Sequence, residues 1–252
     1  MRATDKVLAI IECLAQSPMG VNEISRQLGI GKSTVSKTLS SLKEENWLTQ
    51  DAENAQYRLA HRMLKIGLSM LSNLNVRTIS LPYMNELREV TKETVTLNLL
   101  MDSERVAIEQ VQSSHTIRGV ITLGERLPIW LGATGKAMMA YLKPDEIKEA
   151  KNKLLNSERY TKASGEDVII DKLLIELEAT RQKGYAVASE EIVPGTASVS
   201  APIFDRNNSV IGALTVIGLL PRFNRKIAAK NGAIVSQFAK KISLEMGSTR
   251  DL

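Results

Sequence analysis

The chain has 252 residues, 43% of them hydrophobic, with 33 Lys and Arg against 28 Asp and Glu and a net charge of +5. That length holds one large or two modest domains with a sizeable core. No apolar run approaches the ~20 residues that span a bilayer, the single Cys13 cannot form an internal disulfide, and the N-terminus lacks the profile of a secretory signal. A reducing, cytoplasmic setting is expected. The mild basic excess permits a nucleic-acid partner without requiring one.

Val7, Leu8, Ile10, Ile11 and Leu14 fall at helical spacing after Thr4 and Asp5, and Pro18 and Gly20 end the segment. A short second helix runs through Asn22 to Leu28, with Gly29 as its stop. A third runs from near Gly31 to about Glu45, with Val35, Leu39 and Leu42 at i, i+4 and i+7. Strand-like segments at Trp47–Gln50 and Gln56–Ala60 flank the polar turn DAENA, a hairpin of the kind called a wing. The outline is a winged helix-turn-helix.

From Arg62 to Val90 the pattern is helical, broken around Asn75 and resumed at Ile79, with Pro82 early in the second part. The first part is apolar over too wide an arc for a solvated linker, so it is expected to pack against a partner, a dimer mate. Further on, 94–101 and 105–111 read as a hairpin around a DSE turn, and 117–123 reads as another strand. Helices are expected over about 132–142, after Pro144-Asp145, and through Ile169 to Arg181; strands over 185–189, 199–204 and 210–218; and a closing helix over about 224–246. The fold class is α+β, an N-terminal winged helix-turn-helix and linker helix followed by a mostly antiparallel sheet with helices.

The segment LGIGKSTVSKTL looks at first like a phosphate loop. A Walker loop needs Gly five residues before its Gly-Lys-Ser/Thr, and counting back from Gly31 reaches Arg26. The preceding residues also read as helix, whereas such a loop follows a buried strand. GATGKAMMA fails likewise, with Trp130 at the first Gly position and Ala137 in place of Ser/Thr. As the second helix of a helix-turn-helix the segment makes sense. Gly29 allows the turn, Val35, Leu39 and Leu42 anchor one face, and Lys32, Ser33, Thr34, Ser36, Lys37 and Ser40 project from the other, where short hydroxyls approach a major groove and lysines neutralise phosphates. A merely solvated polar face is the competing interpretation.

The run VNEISRQLGIGKSTVSKTLSSLKEENWLTQ, then YRLAHRMLKIG, and in order LPYMNELREVTKETVTLNLL, GERLPIWLGATGKAMMAYL and RQKGYAVASEEIVPGTASVSAPIFDRNNSVIGALTVIG, resemble the isocitrate lyase regulator (IclR) family of bacterial transcription factors over nearly the full length. The resemblance implies a winged helix (1–60), a linker helix for dimerisation (61–76) and a C-terminal effector-binding domain related to GAF folds (77–252). It implies a DNA-binding regulator of a catabolic operon, a repressor or activator acting as a homodimer or dimer of dimers, with operator DNA and a small-molecule effector, a small organic acid, as partners. Carried over residue by residue, Lys32, Ser33, Thr34, Ser36 and Lys37 become groove-facing and Arg58 of the wing meets phosphate. Thr116, Gly119, Ala133, Thr134, Ala188, Ser198, Thr215 and Ile217 become effector-binding, with N–H groups of the ATGKA turn offered to a carboxylate at a helix N-terminus. The family's common Arg is Lys37 here, and a lysine has no planar fork for guanine. Where many relatives have His and Asp-Asp, this chain has Trp130 and Ala188-Ser189; Trp130 is expected to narrow the cavity or stack on a flat ligand.

No cofactor or metal is called for. His61 and His115 are the only histidines and neither pairs in sequence with a nucleophile; Cys13 reads as core filler. Glu190-Glu191, adjacent in a strand, would point to opposite faces and make no acid/base pair. The basic residues of the last helix, including Arg222, Arg225, Lys226, Lys230, Lys240 and Lys241, are expected to form a solvated face. Two further function classes stay open: an architectural DNA-binding protein, and a small-molecule-binding protein or enzyme whose N-terminal helices serve protein contacts. The long C-terminal domain counts against the first.

Overall fold

The computed structural model describes residues 2–72, 75–156 and 162–250. The chain divides into two compact units, Met1–Leu74 and Asn75–Leu252. Residues 73 and 74, inside the expected linker, lie outside the described residues.

The first unit holds α1 (Ala3–Gln16), α2 (Val21–Leu28), α3 (Lys32–Glu44), β1 (Leu48–Gln50), β2 (Tyr57–Leu59) and α4 (His61–Ser72). None of its first three helices is long enough to be stable alone. They share one core: Ile10, Cys13 and Leu14 from α1, Ile24 from α2, Val35 and Leu39 from α3, closed by Ile30, Leu48 and Tyr57. Full burial of each large aliphatic side chain contributes roughly 1.5–3 kcal/mol. β1 and β2 pair antiparallel, and Met19 exchanges two backbone hydrogen bonds with Tyr57, 3.1 and 2.9 Å, tying the wing to the chain after α1. Arg62 closes the far side, its guanidinium 4.4 Å from the Trp47 ring centroid and its Nη1 donating to the Glu45 carbonyl at 2.8 Å.

The second unit is built on one antiparallel sheet of β3 (Thr94–Met101), β4 (Glu104–Val111), β5 (Arg126–Pro128), β6 (Ala186–Ser189), β7 (Thr196–Phe204) and β8 (Val210–Leu219), in the order β5-β4-β3-β8-β7-β6. Alternation decides which side chains meet which helix. On one face α5 (Asn75–Thr91) and α9 (Arg225–Glu245) pack; on the other lies the buried α6 (Gly132–Met139), flanked by α7 (Pro144–Leu155) and α8 (Ile170–Lys183). The α6 face carries Ala133, Ala137 and Met138 against Ala186, Ala188 and Ala213, small residues that let the helix lie close to the strands. Among the described residues no helix is long and apolar enough to cross a membrane.

Three expectations need correcting. Residues 117–123 are not a strand: the segment is held to the sheet by side chains, Thr94 Oγ1 donating to the Gly119 carbonyl at 2.7 Å and Gln110 Oε1 accepting from the Ile121 N–H at 2.8 Å. The edge strand there is the short β5, whose Arg-Leu-Pro has too little alternation to read. Pro82 lies inside α5 rather than near its start, because α5 already begins at Asn75; the Thr78 carbonyl therefore receives no N–H from residue 82. Arg222 is half-exposed rather than part of a free solvated face: it sits in the 3-10 turn Leu220–Arg222 and forks onto the buried Glu93 at 2.7 and 3.0 Å, which raises the guanidinium's pKa.

Candidate functional site

Two surfaces carry the chemistry, one in each unit. In the first, α2 ends at Gly29 in the left-handed conformation (φ 66°), and Ser25 Oγ donates to the Ile30 carbonyl at 2.6 Å, fixing the turn. Ile30 enters the core and α3 starts at once from Gly31. With Val35 and Leu39 fully buried, Lys32, Ser33, Ser36 and Lys37 are left exposed on the opposite side. Thr34 is half-buried, and its carbonyl accepts from Thr38 Oγ1 at 2.9 Å. Arg58 is exposed on β2, its Nε donating to Thr49 Oγ1 at 3.2 Å across the hairpin. The outcome is a basic, hydroxyl-bearing helix face on a rigid support, and a wing arginine.

In the second unit a cavity of about 520 Å³ opens on the α6 side of the sheet. Its walls come from the start of α6, the end of β6 with the turn after it, the near ends of β7 and β8, and the segment 118–122. Of the residues carried over from the family, Gly119, Thr134, Ala188, Ser198 and Ile217 line it. Thr116, Ala133 and Thr215 do not. Thr116 stands exposed on the loop, and Ala133 is fully buried against the sheet. Thr215 lies under the floor, its hydroxyl 2.9 Å from Thr134 Oγ1 and 2.8 Å from Ser200 Oγ, so it holds Thr134 in place rather than meeting a ligand. Trp130 is also displaced from its expected role: it packs with Leu154, Leu173 and Leu177 in another cluster and does not line this cavity.

The α6 N-terminus is filled by the chain itself. Glu191 is 7% exposed; its Oε2 accepts from the Gly132 N–H at 2.9 Å and its Oε1 lies 2.5 Å from Lys136 Nζ. Lys136, a buried ammonium in the helix that looked like a phosphate loop, is balanced by Glu191 and by Glu176, also at 2.5 Å. Glu190 and Glu191 follow β6 rather than lying in it, with Glu190 in the left-handed region (φ 53°), so the argument from strand alternation does not apply. Both line the cavity, and Glu190 Oε1 accepts from the Gly195 N–H at 2.9 Å.

Sequence reasoning passed over Arg105. It is buried in β4, its Nη1 donates to Asn98 Oδ1 at 2.8 Å, and Asn98 Nδ2 donates to Thr96 Oγ1 at 3.1 Å. Burial pushes the guanidinium down to about 10, with the Glu125 carboxylate acting in the opposite sense, so it stays charged at neutral pH. The available signal was an arginine just past a two-residue turn, which reads as a turn flank until the register shows its side chain turned inward. Among the described residues no group of three or more His, Cys, Asp or Glu could hold a metal ion.

Comparison with known proteins bears on the family and the fold. The model of the IclR helix-turn-helix domain matches residues 3–52, and that of the bacterial transcriptional regulator IclR C-terminal domain matches residues 68–244. The HTH-type transcriptional regulator KdgR of Escherichia coli (strain K12) is 29% identical over 96% of this chain and 91% of its own. The HTH-type transcriptional regulator KipR of Bacillus subtilis (strain 168) is 30% identical over 97% and 96%. Among solved structures, an IclR homolog from Microbacterium hydrocarbonoxydans complexed with 4-hydroxybenzoate superposes with a TM-score of 0.82, covering 97% of this chain and 99% of that one, at 19% identity, a likeness of fold.

Proposed function

Because the chain belongs to the IclR family of bacterial transcriptional regulators, we propose that a small carboxylic acid entering the cavity of the second unit controls operator binding by the first. The family places a DNA-binding helix-turn-helix domain at the N-terminus and an effector-binding domain at the C-terminus. The further reading assigns 1–60 to the winged helix, 61–76 to the linker helix and 77–252 to the effector domain. It makes the protein a cytoplasmic repressor of a catabolic operon. Lys32, Ser33, Ser36 and Lys37 meet the major groove and its phosphates, with Thr34 at the edge of that face and Arg58 on the flanking backbone.

The observation that carries the ligand half is the open cavity itself, set on a packed sheet and lined by cationic, acidic and apolar side chains. The carboxylate class is supported by Arg105 and Arg118 in its wall and by the 4-hydroxybenzoate bound to a protein of the same fold. A homodimer, or a dimer of dimers, is supported by α4, where Leu64 and Ile66 are 58% and 52% exposed; unpartnered apolar side chains on a linker helix suit a second copy of the chain.

Gel shifts on the promoter of the protein's own gene and its neighbours test the whole reading. Binding in the absence of acid and release by one member of a carboxylate panel is the expected result. Failure to bind any neighbouring promoter, with or without cell extract, overturns it.

A further inference from the structure

We propose that Arg105 seats the effector's carboxylate and so selects monocarboxylates with a compact apolar body. This deepens, and rests on, the reading of the cavity as the effector site.

Three features of the cavity wall attract anions, and two are already engaged. The leading N–H of α6 is occupied by Glu191, whose own charge is met by Lys136. Arg118 is exposed and holds Gln112 Oε1 through Nε and Nη2 at 3.1 and 2.9 Å and the His115 carbonyl through Nη1 at 3.2 Å. Arg105 differs from both. It is 6% exposed, lines the cavity, and spends only Nη1, on a neutral amide. Its Nε has no acceptor among the described residues, and no ion pair there includes it.

A buried guanidinium matched only to a neutral amide is costly, and a donor left without an acceptor adds to the cost. Glu125, exposed in the same wall, bears on it only through its field. A carboxylate meeting the guanidinium where it faces the cavity would supply the countercharge that the Asn98 amide lacks. The rest of the wall fixes the remainder of the ligand. Val120, Ile121, Leu127, Ile217 and Leu219 present apolar surface, which suits an aromatic or branched body. Glu190 and Glu191 line the same cavity and would repel a second carboxylate.

The test is calorimetric, on the full chain without DNA, with benzoate, 4-hydroxybenzoate, phenylacetate and isovalerate, the amide of each, and terephthalate as a dicarboxylate. The expected result is that the protein binds at least one acid, its amide and terephthalate at least tenfold more weakly, and that Arg105→Gln weakens the acid about 10- to 100-fold while leaving amide binding unchanged. Arg105→Lys, which keeps the charge without the fork, should fall in between, and it carries the comparison if Arg105→Gln does not fold. Equal affinity of Arg105→Gln and the parent for the acid overturns the anchor while leaving a carboxylate effector in place. Equal affinity for acid and amide overturns the charge selection, and no binding by any acid overturns both. An acid that binds through Arg105 yet releases no operator would instead sink the regulatory reading and leave the anchor standing.

Discussion

Gly135 stands in Gly-Ala-Thr-Gly-Lys, where a phosphate loop would use it to wrap a ligand. Its actual neighbour is the chain: a Cβ at this position would collide with the backbone carbonyl of Ile129, which unlike a side-chain end cannot swing aside. The glycine is needed for close approach. Gly135→Ala should therefore destabilise the second unit by about 3 kcal/mol or more, at the upper end of overpacking, read as a lowered urea midpoint. Lys136 beside it follows the same logic, since its charge is met by Glu191 and Glu176 inside the fold. Removing one partner of a buried pair costs about 3–5 kcal/mol. Because Glu176 is 43% exposed and stays in place, Glu191→Ala should fall near the low end, about 3 kcal/mol, and lower the melting temperature of this unit by roughly 6–12 °C. A variant melting like the parent would show that Glu191 is not what holds the start of α6. Neither role was legible in the sequence: the partners of Lys136 lie some 40 to 55 positions away, and the close approach of Gly135 to the Ile129 carbonyl appears only once the chain before α6 is folded back on it.

Elements were easier to read where periodicity and punctuation agreed. α1, α2 and α3 each show apolar spacing bounded by Pro or Gly, and the structure places them within a few residues of expectation. Segment 117–123 misled because Ile117, Val120 and Leu123 suggest a strand, yet all three side chains are exposed and no ladder forms. Apolar residues alone do not make a strand when side-chain hydrogen bonds already fix the backbone. The helix-turn-helix yields a prediction at this scale. Gly29 is in the left-handed region with nothing within 4 Å of an added Cβ, so Gly29→Ala meets backbone strain alone, about 1–2 kcal/mol. It should lower the stability of the first unit by that amount while leaving effector binding intact. Lys37→Ala and Thr34→Ala act on the exposed and half-exposed side of α3 instead, and should weaken operator binding with effector affinity and folding unchanged. Loss of ligand binding in both would contradict the division of labour between the units.

For the whole molecule, net charge said little: the first unit has nine Lys and Arg against seven Asp and Glu, a balance shared by many proteins that never touch DNA. What matters is which cations the fold leaves free on one face. Lys43 is bonded to Gln50 at 2.9 Å and Arg62 is held by Trp47 and Glu45. Lys32 and Lys37 on α3 are exposed, and Arg58, exposed on the wing, commits only its Nε to Thr49 and keeps its two terminal nitrogens for phosphate. Each phosphate neutralised adds about −0.9 to the slope of log K against log salt concentration. Three cations thus give a slope of roughly −3 for one winged helix on its operator and roughly −5 for a symmetric pair. Titrations between about 50 and 200 mM salt, where such slopes are well resolved, should give the larger value if α4 brings two copies together. Lys37→Ala should then reduce its magnitude by roughly 2, one phosphate contact in each half-site. A slope near −3 that falls by roughly 1 would mean a single winged helix per operator and remove the exposed face of α4 as a dimer surface. A slope near zero would mean that the basic face of α3 does not meet phosphate at all.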